Sequence, residues 1–103
     1  MPRFENDIEA EFAGEAAASL GMAGRRLRKA LDALLKHDAE VSAGADAAGL
    51  ERRGELVAVA GEAFWGYVVQ RELLGLMDAD YIATEYGVPP EVKRAMGPTI
   101  RRK

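Results

Sequence analysis

Between Leu56 and Val69 the chain reads LVAVAGEAFWGYVV, with Glu62 as its single charge, and the polar triplet Gln70, Arg71 and Glu72 follows at once. A helix that is apolar around nearly its whole circumference has to be covered around nearly its whole circumference. This requirement constrains the fold more than any other feature of the sequence. It sets the segment at the centre of a helical protein and raises the question of what covers it.

The preceding segment supplies one neighbour. Apolar or small residues recur at Ile8, Phe12, Ala16, Leu20, Ala23, Leu27, Leu31 and Leu34. That is a helical period and not a strand period, and it predicts one long amphipathic helix over about 7–37. Asn6, with Glu9 three positions on, has the form of a capping box and puts the start near Asn6, within a turn. Gly21 and Gly24 lie inside this helix, where each costs about 1 kcal/mol relative to alanine. The apolar stripe keeps its phase through them, so they are read as points of close helix approach and not as a kink.

Residues 38–46 are small, polar and aperiodic, and are expected to form a loop. Asp46 is the expected N-cap of a second helix over about 47–74, with Gly75 as its left-handed stop. One face of that helix collects Leu50, Val57, Ala60, Gly61, Phe64 and Val68, another collects Leu56, Ala63, Tyr67 and Leu74, and Trp65 and Val69 widen the cover. Asp78 is expected to cap a third helix over about 79–86, closed by Gly87. Pro89 or Pro90 opens a fourth over about 90–96, closed by Gly97 and Pro98, and 99–103 is expected to fray. The reading is a single all-α domain over 1–103: an antiparallel hairpin of two long helices plus two short C-terminal helices.

Charge placement agrees with a hairpin. Glu5, Asp7, Glu9, Glu11 and Glu15 occupy the front of the first helix and Arg25, Arg26, Arg28, Lys29 and Lys36 its back, which complements the helix dipole. Folding the second helix back brings the basic half near Glu51, Glu55 and Glu62, and the acidic front near Arg71. An antiparallel homodimer would satisfy the same charges between chains. The short helices add only Tyr81, Ile82, Tyr86, Val88, Val92 and Met96 as cover, so a homodimer completing a helical bundle is expected to close the remaining face.

Composition narrows the functional classes. Seventeen acidic against fourteen basic side chains give a net charge of −3, which offers no global attraction for nucleic acid or anionic lipid. Cysteine is absent, which excludes disulfides and thiolate catalysis. The N-terminal residues lack the form of a secretory signal and no apolar run approaches a bilayer span, so the chain is expected to be cytoplasmic.

No catalytic constellation emerges, and no cofactor or metal is expected. His37 is the only histidine, too few for a two-histidine metal site, and suits the C-terminus of the first helix. Gly21-Met22-Ala23-Gly24 lacks the lysine and hydroxyl of a phosphate loop. Ser19 and Ser42 have no evident base, and Asp78-Ala79-Asp80 is read as helix capping and not as part of a calcium loop. Glu62 is read as a carboxylate at a groove edge, paired with Arg25 or Arg26, with a proton-transfer role as the sharper alternative. Phe64, Trp65 and Tyr67 are candidates for an interface or pocket, and Gln70, Arg71 and Glu72 for a polar network involving Glu15 or Glu11.

The expected function is therefore a non-catalytic protein-interaction or self-association module, a dimer or a partner of another protein. An alternative lies at the C-terminus, where Ile82-Ala83, Gly87-Val88, Val92 and Met96 around Arg94 resemble a helix-turn-helix. Lys93, Arg94, Arg101, Arg102 and Lys103 are then the candidate DNA contacts, although consecutive prolines shorten the recognition helix and Val92 falls one position early. A third reading is a small-molecule sensor or enzyme with a pocket near Glu62 and Trp65.

Leu20-Gly21-Met22-Ala23-Gly24-Arg25, the segment from Trp65 to Gly75 with Val69-Gln70-Arg71-Glu72, and Tyr86-Gly87-Val88-Pro89 together resemble a family of short bacterial proteins of unknown function. The resemblance covers nearly the whole chain and implies an all-helical fold with no assigned activity. It also implies that Trp65, Gln70, Arg71, Glu72 and Gly75 belong to the family's shared core.

Overall fold

A computed structural model describes residues 3–41, 46–76 and 79–97, with side chains from residue 10 onward. Four helices follow in order: α1 (Arg3–Glu40), α2 (Ala47–Leu73), α3 (Ala79–Tyr86) and α4 (Pro90–Arg94). Among the described residues there is no strand. The two long helices pack against each other as a hairpin, and α4 rests on α2.

Local chemistry accounts for the ends. The Asp46 side chain accepts a hydrogen bond from the Gly49 amide at 2.9 Å, which caps α2. At its other end Gly75 adopts φ +77°. The Leu76 amide donates to the Arg71 carbonyl at 2.7 Å and the Gly75 amide to that of Glu72 at 3.0 Å, a Schellman closure. Gly87, at φ +67°, closes α3 in the same way, with the Val88 amide donating to Ala83 at 2.8 Å. Pro90 stands in the first turn of α4, where its missing N–H is not needed. The expected cap at Asp78 lies outside the described residues.

α1 differs from expectation at both ends. It begins at Arg3 and continues to Glu40, because neither Phe4-Glu5 nor Asp38-Ala39-Glu40 contains a residue that breaks a helix. Asn6 is therefore inside the helix and not at its cap. α4 is shorter than expected and ends at Arg94.

The core forms where the hairpin faces meet. Leu27, Leu31 and Leu34 of α1 pack with Leu56, Ala60, Phe64, Tyr67 and Val68 of α2, and Ile82, Ala83, Val88 and Val92 close one side. Full burial of a side chain such as Phe64 or Leu27 contributes about 1.5–3 kcal/mol. At Gly24 an added β-carbon would stand 2.9 Å from the Tyr86 hydroxyl and 3.3 Å from the Tyr67 ring, so the absence of a side chain there is what lets the two tyrosines approach α1. Gly21 differs from expectation, since an added β-carbon would meet only the side chain of Arg25 in its own helix.

α1 has 38 residues and α2 has 27, which correspond to about 57 and 40 Å at 1.5 Å per residue. The N-terminal part of α1 therefore runs past the hairpin, and from Ala10 to Ser19 no residue is buried. The result is an elongated molecule of 67 × 30 × 21 Å.

Candidate functional site

α2 is apolar on more sides than its neighbours cover. α1, α3 and α4 take the faces carrying Leu56, Ala60, Phe64 and Val68, and leave Val59 and Trp65 exposed. On this uncovered side the seam between the long helices opens into a groove of about 580 Å³. One wall comes from α1, through Ser19, Met22, Ala23, Arg26 and Ala30. The other comes from α2, through Val59, Glu62, Ala63, Trp65, Gly66 and Gln70.

Helical periodicity places these side chains. Ser19, Met22, Arg26 and Ala30 step by three or four along α1, and Val59, Glu62, Gly66 and Gln70 do so along α2, so each set forms one stripe. Met22 is 52% exposed and Val59 is 53% exposed, large apolar surface beside the groove floor formed by Ala23, Ala30 and Ala63. A β-carbon at Gly66 would meet nothing within 4 Å. Glu62 and Arg26 bring one charge of each sign to opposite walls.

The residues singled out from sequence divide. Glu62, Trp65 and Gln70 line the groove, and Glu62 is exposed at its edge and not buried. Phe64 and Tyr67 are core residues, and Tyr67 meets Tyr86 edge-on with ring centroids 5.3 Å apart. Arg71 is half-buried and its charge acts on Tyr81 and Tyr86. Glu11 and Glu15, the partners expected for Arg71, are exposed on the projecting part of α1. Trp65, Glu72 and Gly75 are exposed and Gln70 and Arg71 half-buried.

Of the candidate DNA contacts, Lys93 pairs with Asp80 at 2.8 Å and Arg94 is exposed; Arg101, Arg102 and Lys103 lie outside the described residues. α4 spans five residues with Val92 fully buried beneath it. Among the described residues no group of three or more acidic or histidine side chains is placed to hold a metal, and no helix is long and apolar enough to cross a membrane.

One polar centre was not legible in the sequence. Arg53 of α2 donates to both carboxylate oxygens of Asp38 on α1, at 2.8 and 3.1 Å, and to both of Glu91 on α4, at 2.7 Å each. This guanidinium ties three helices together. Its hydrogen bonds hold the Asp38 and Glu91 carboxyls below their ordinary values, and the two carboxylates raise the pKa of Arg53 in return. No local pattern separates Arg53 from Arg52, which pairs with Glu55 in its own helix. Met22 and Val59 were missed for a similar reason, since an apolar residue carries no mark of which side of a bundle stays open.

The fold and groove define an all-helical hairpin protein with an open apolar seam. Over residues 4–103 the chain belongs to a family of unknown function, DUF6665. No curated protein and no solved structure matches it.

Proposed function

We infer that this chain is a non-catalytic protein-interaction module that works by self-association through the α1/α2 groove. The observation behind this reading is the apolar seam of Met22, Val59 and Trp65, left open on a helix whose composition calls for cover on all sides. Contiguous exposed apolar surface of this kind marks an interaction site. From Ser19 to Ala30 the groove runs roughly 16 Å along α1, three turns at 1.5 Å per residue. A long trough with apolar walls suits an amphipathic helix better than a compact ligand.

Trp65 is the only tryptophan of the chain and lies in the groove, so its fluorescence reports on occupancy directly. Dilution of the protein through the micromolar range should shift Trp65 emission to the red as the groove empties. Light scattering should show a species heavier than the 11.1 kDa chain at the concentrated end. An 11.1 kDa particle throughout, with unchanged emission, refutes self-association.

A further inference from the structure

The exposed flank of α1 is complementary to itself. Phe12, Glu15, Ser19, Met22, Arg26 and Lys29 are all exposed and step alternately by three and four, the spacing of a helix–helix seam. The stripe shares Ser19, Met22 and Arg26 with the α1 wall of the groove and extends beyond it onto the projecting segment. Its chemistry reverses about its middle: apolar and acidic residues on the N-terminal side, a cation at each step beyond Met22. A two-fold interface requires this property, because the same patch must meet itself in reverse.

We propose that the groove is filled by α1 of a second copy of this chain, antiparallel to the first α1, about a two-fold axis passing between Leu20 and Gly21. In this register Glu15 of each chain stands level with Arg26 of the other, Ser19 with Met22, and Phe12 with Lys29. Phe12, 71% exposed in the single chain, then lies at the Ala30 and Val59 end of the groove. Charge complementarity on the α1 side selects this occupant: the projecting segment carries Glu11 and Glu15, and the α1 wall it reaches carries Arg26 with Lys29 beside it, two cations against the one acid, Glu62, on the α2 wall. Parallel pairing would set Glu15 against Glu15 and Arg26 against Arg26. Gly66 fits the same arrangement. It lines the groove with nothing near its missing side chain, in a helix interior where glycine is unfavourable, and it leaves room for an entering helix.

The proposal rests on self-association and adds the partner helix, its direction and its register. The test uses two single variants, Glu15→Arg and Arg26→Glu, at positions exposed in the single chain, with helicity checked by far-UV circular dichroism. Each alone faces like charges twice across the two-fold and should weaken association about tenfold or more. An equimolar mixture pairs opposite charges at both sites and should recover dimers in sedimentation velocity. Gly66→Leu, which fills the groove, should dissociate the dimer while leaving helicity intact. A wild-type monomer overturns self-association itself. A wild-type dimer that both charge variants leave intact, or that the mixture fails to restore, overturns the register alone.

Discussion

The carbonyl of Ala95 occupies the place that a side chain at Gly61 would take. A β-carbon there would come within 2.8 Å of the Ala95 carbonyl carbon and 2.9 Å of its β-carbon. Backbone does not yield as a flexible side chain does, so Gly61 is the point at which α2 admits the end of α4. Gly61→Ala should therefore destabilise by about 1–3 kcal/mol, despite alanine's better helix propensity. Gly54 has nothing within 4 Å of an added β-carbon, and Gly54→Ala should stabilise by up to about 1 kcal/mol. Urea denaturation of the two variants should move in opposite directions, and equal shifts would refute the role given to Ala95.

Arg53→Met removes the cation shared by Asp38 and Glu91. The groups are partly solvent-exposed, so water screens the pairs and the loss should be on the order of 1 kcal/mol. The pH dependence is more diagnostic. Arg53 holds both carboxyls below their ordinary values of 3.8 and 4.5, so their stabilisation is present above those values and disappears as pH falls through the lowered folded values. The wild type should lose stability in that acid range, and Arg53→Met should lose measurably less there.

Tyr86 should contribute to the alkaline limb, alongside Tyr81, whose hydroxyl is raised by its hydrogen bond to Glu85. Burial, with a hydrogen bond to Tyr67, raises the Tyr86 hydroxyl above the ordinary 10.0. The folded protein therefore favours the neutral phenol: its contribution is complete below pH 10.0 and is lost as pH rises through the higher folded value. Tyr86→Phe should partly flatten stability measured above that pH, and an unchanged alkaline limb would rule out Tyr86 as a contributor.

Gly24 and Tyr86 should be coupled. Gly24→Ala sets a β-carbon 2.9 Å from the Tyr86 hydroxyl, the far end of a side chain that Arg28 also engages, with its guanidinium 5.1 Å from the ring centroid. The substitution should cost less in the Tyr86→Phe background than in the wild type, with an interaction term of about 0.5–3 kcal/mol in a double-mutant cycle. Strict additivity would mean that the hydroxyl is not the obstacle.

Phe64 and Phe12 should behave as opposites. Phe64 is 1% exposed at the centre of the core, and Phe64→Ala should cost about 3–5 kcal/mol in folding stability. Phe12→Ala, on the projecting part of α1, should leave the unfolding of a dilute monomer nearly unchanged while weakening association. Loss of fold in Phe12→Ala would show that the projecting segment is needed within one chain.

Local order was legible in the chain because its causes are local. The 3.6-residue period of α1, the cap at Asp46, the stops at Gly75 and Gly87 and the proline opening α4 each depend on residues within a turn or two of one another. Excess apolar surface on α2 was legible too, since composition on a wheel is arithmetic. The candidate residues were less so: Glu62, Trp65 and Gln70 share the groove, whereas Phe64 and Tyr67, one step round the same helix, belong to the core.

The sequence by itself determined the four helices, most of their ends and the shortage of cover for α2. Only the tertiary structure decided which side of α2 stays open, that Arg53 joins α1 to α4, and that Gly24 and Gly61 mark close approaches while Gly66 faces empty space. The physical reason is that the rotation of one helix against another follows from steric fit between distant surfaces. Two phenol rings seated against Gly24 and one carbonyl against Gly61 fix that rotation here, and neither contact leaves a trace in the local pattern of the chain.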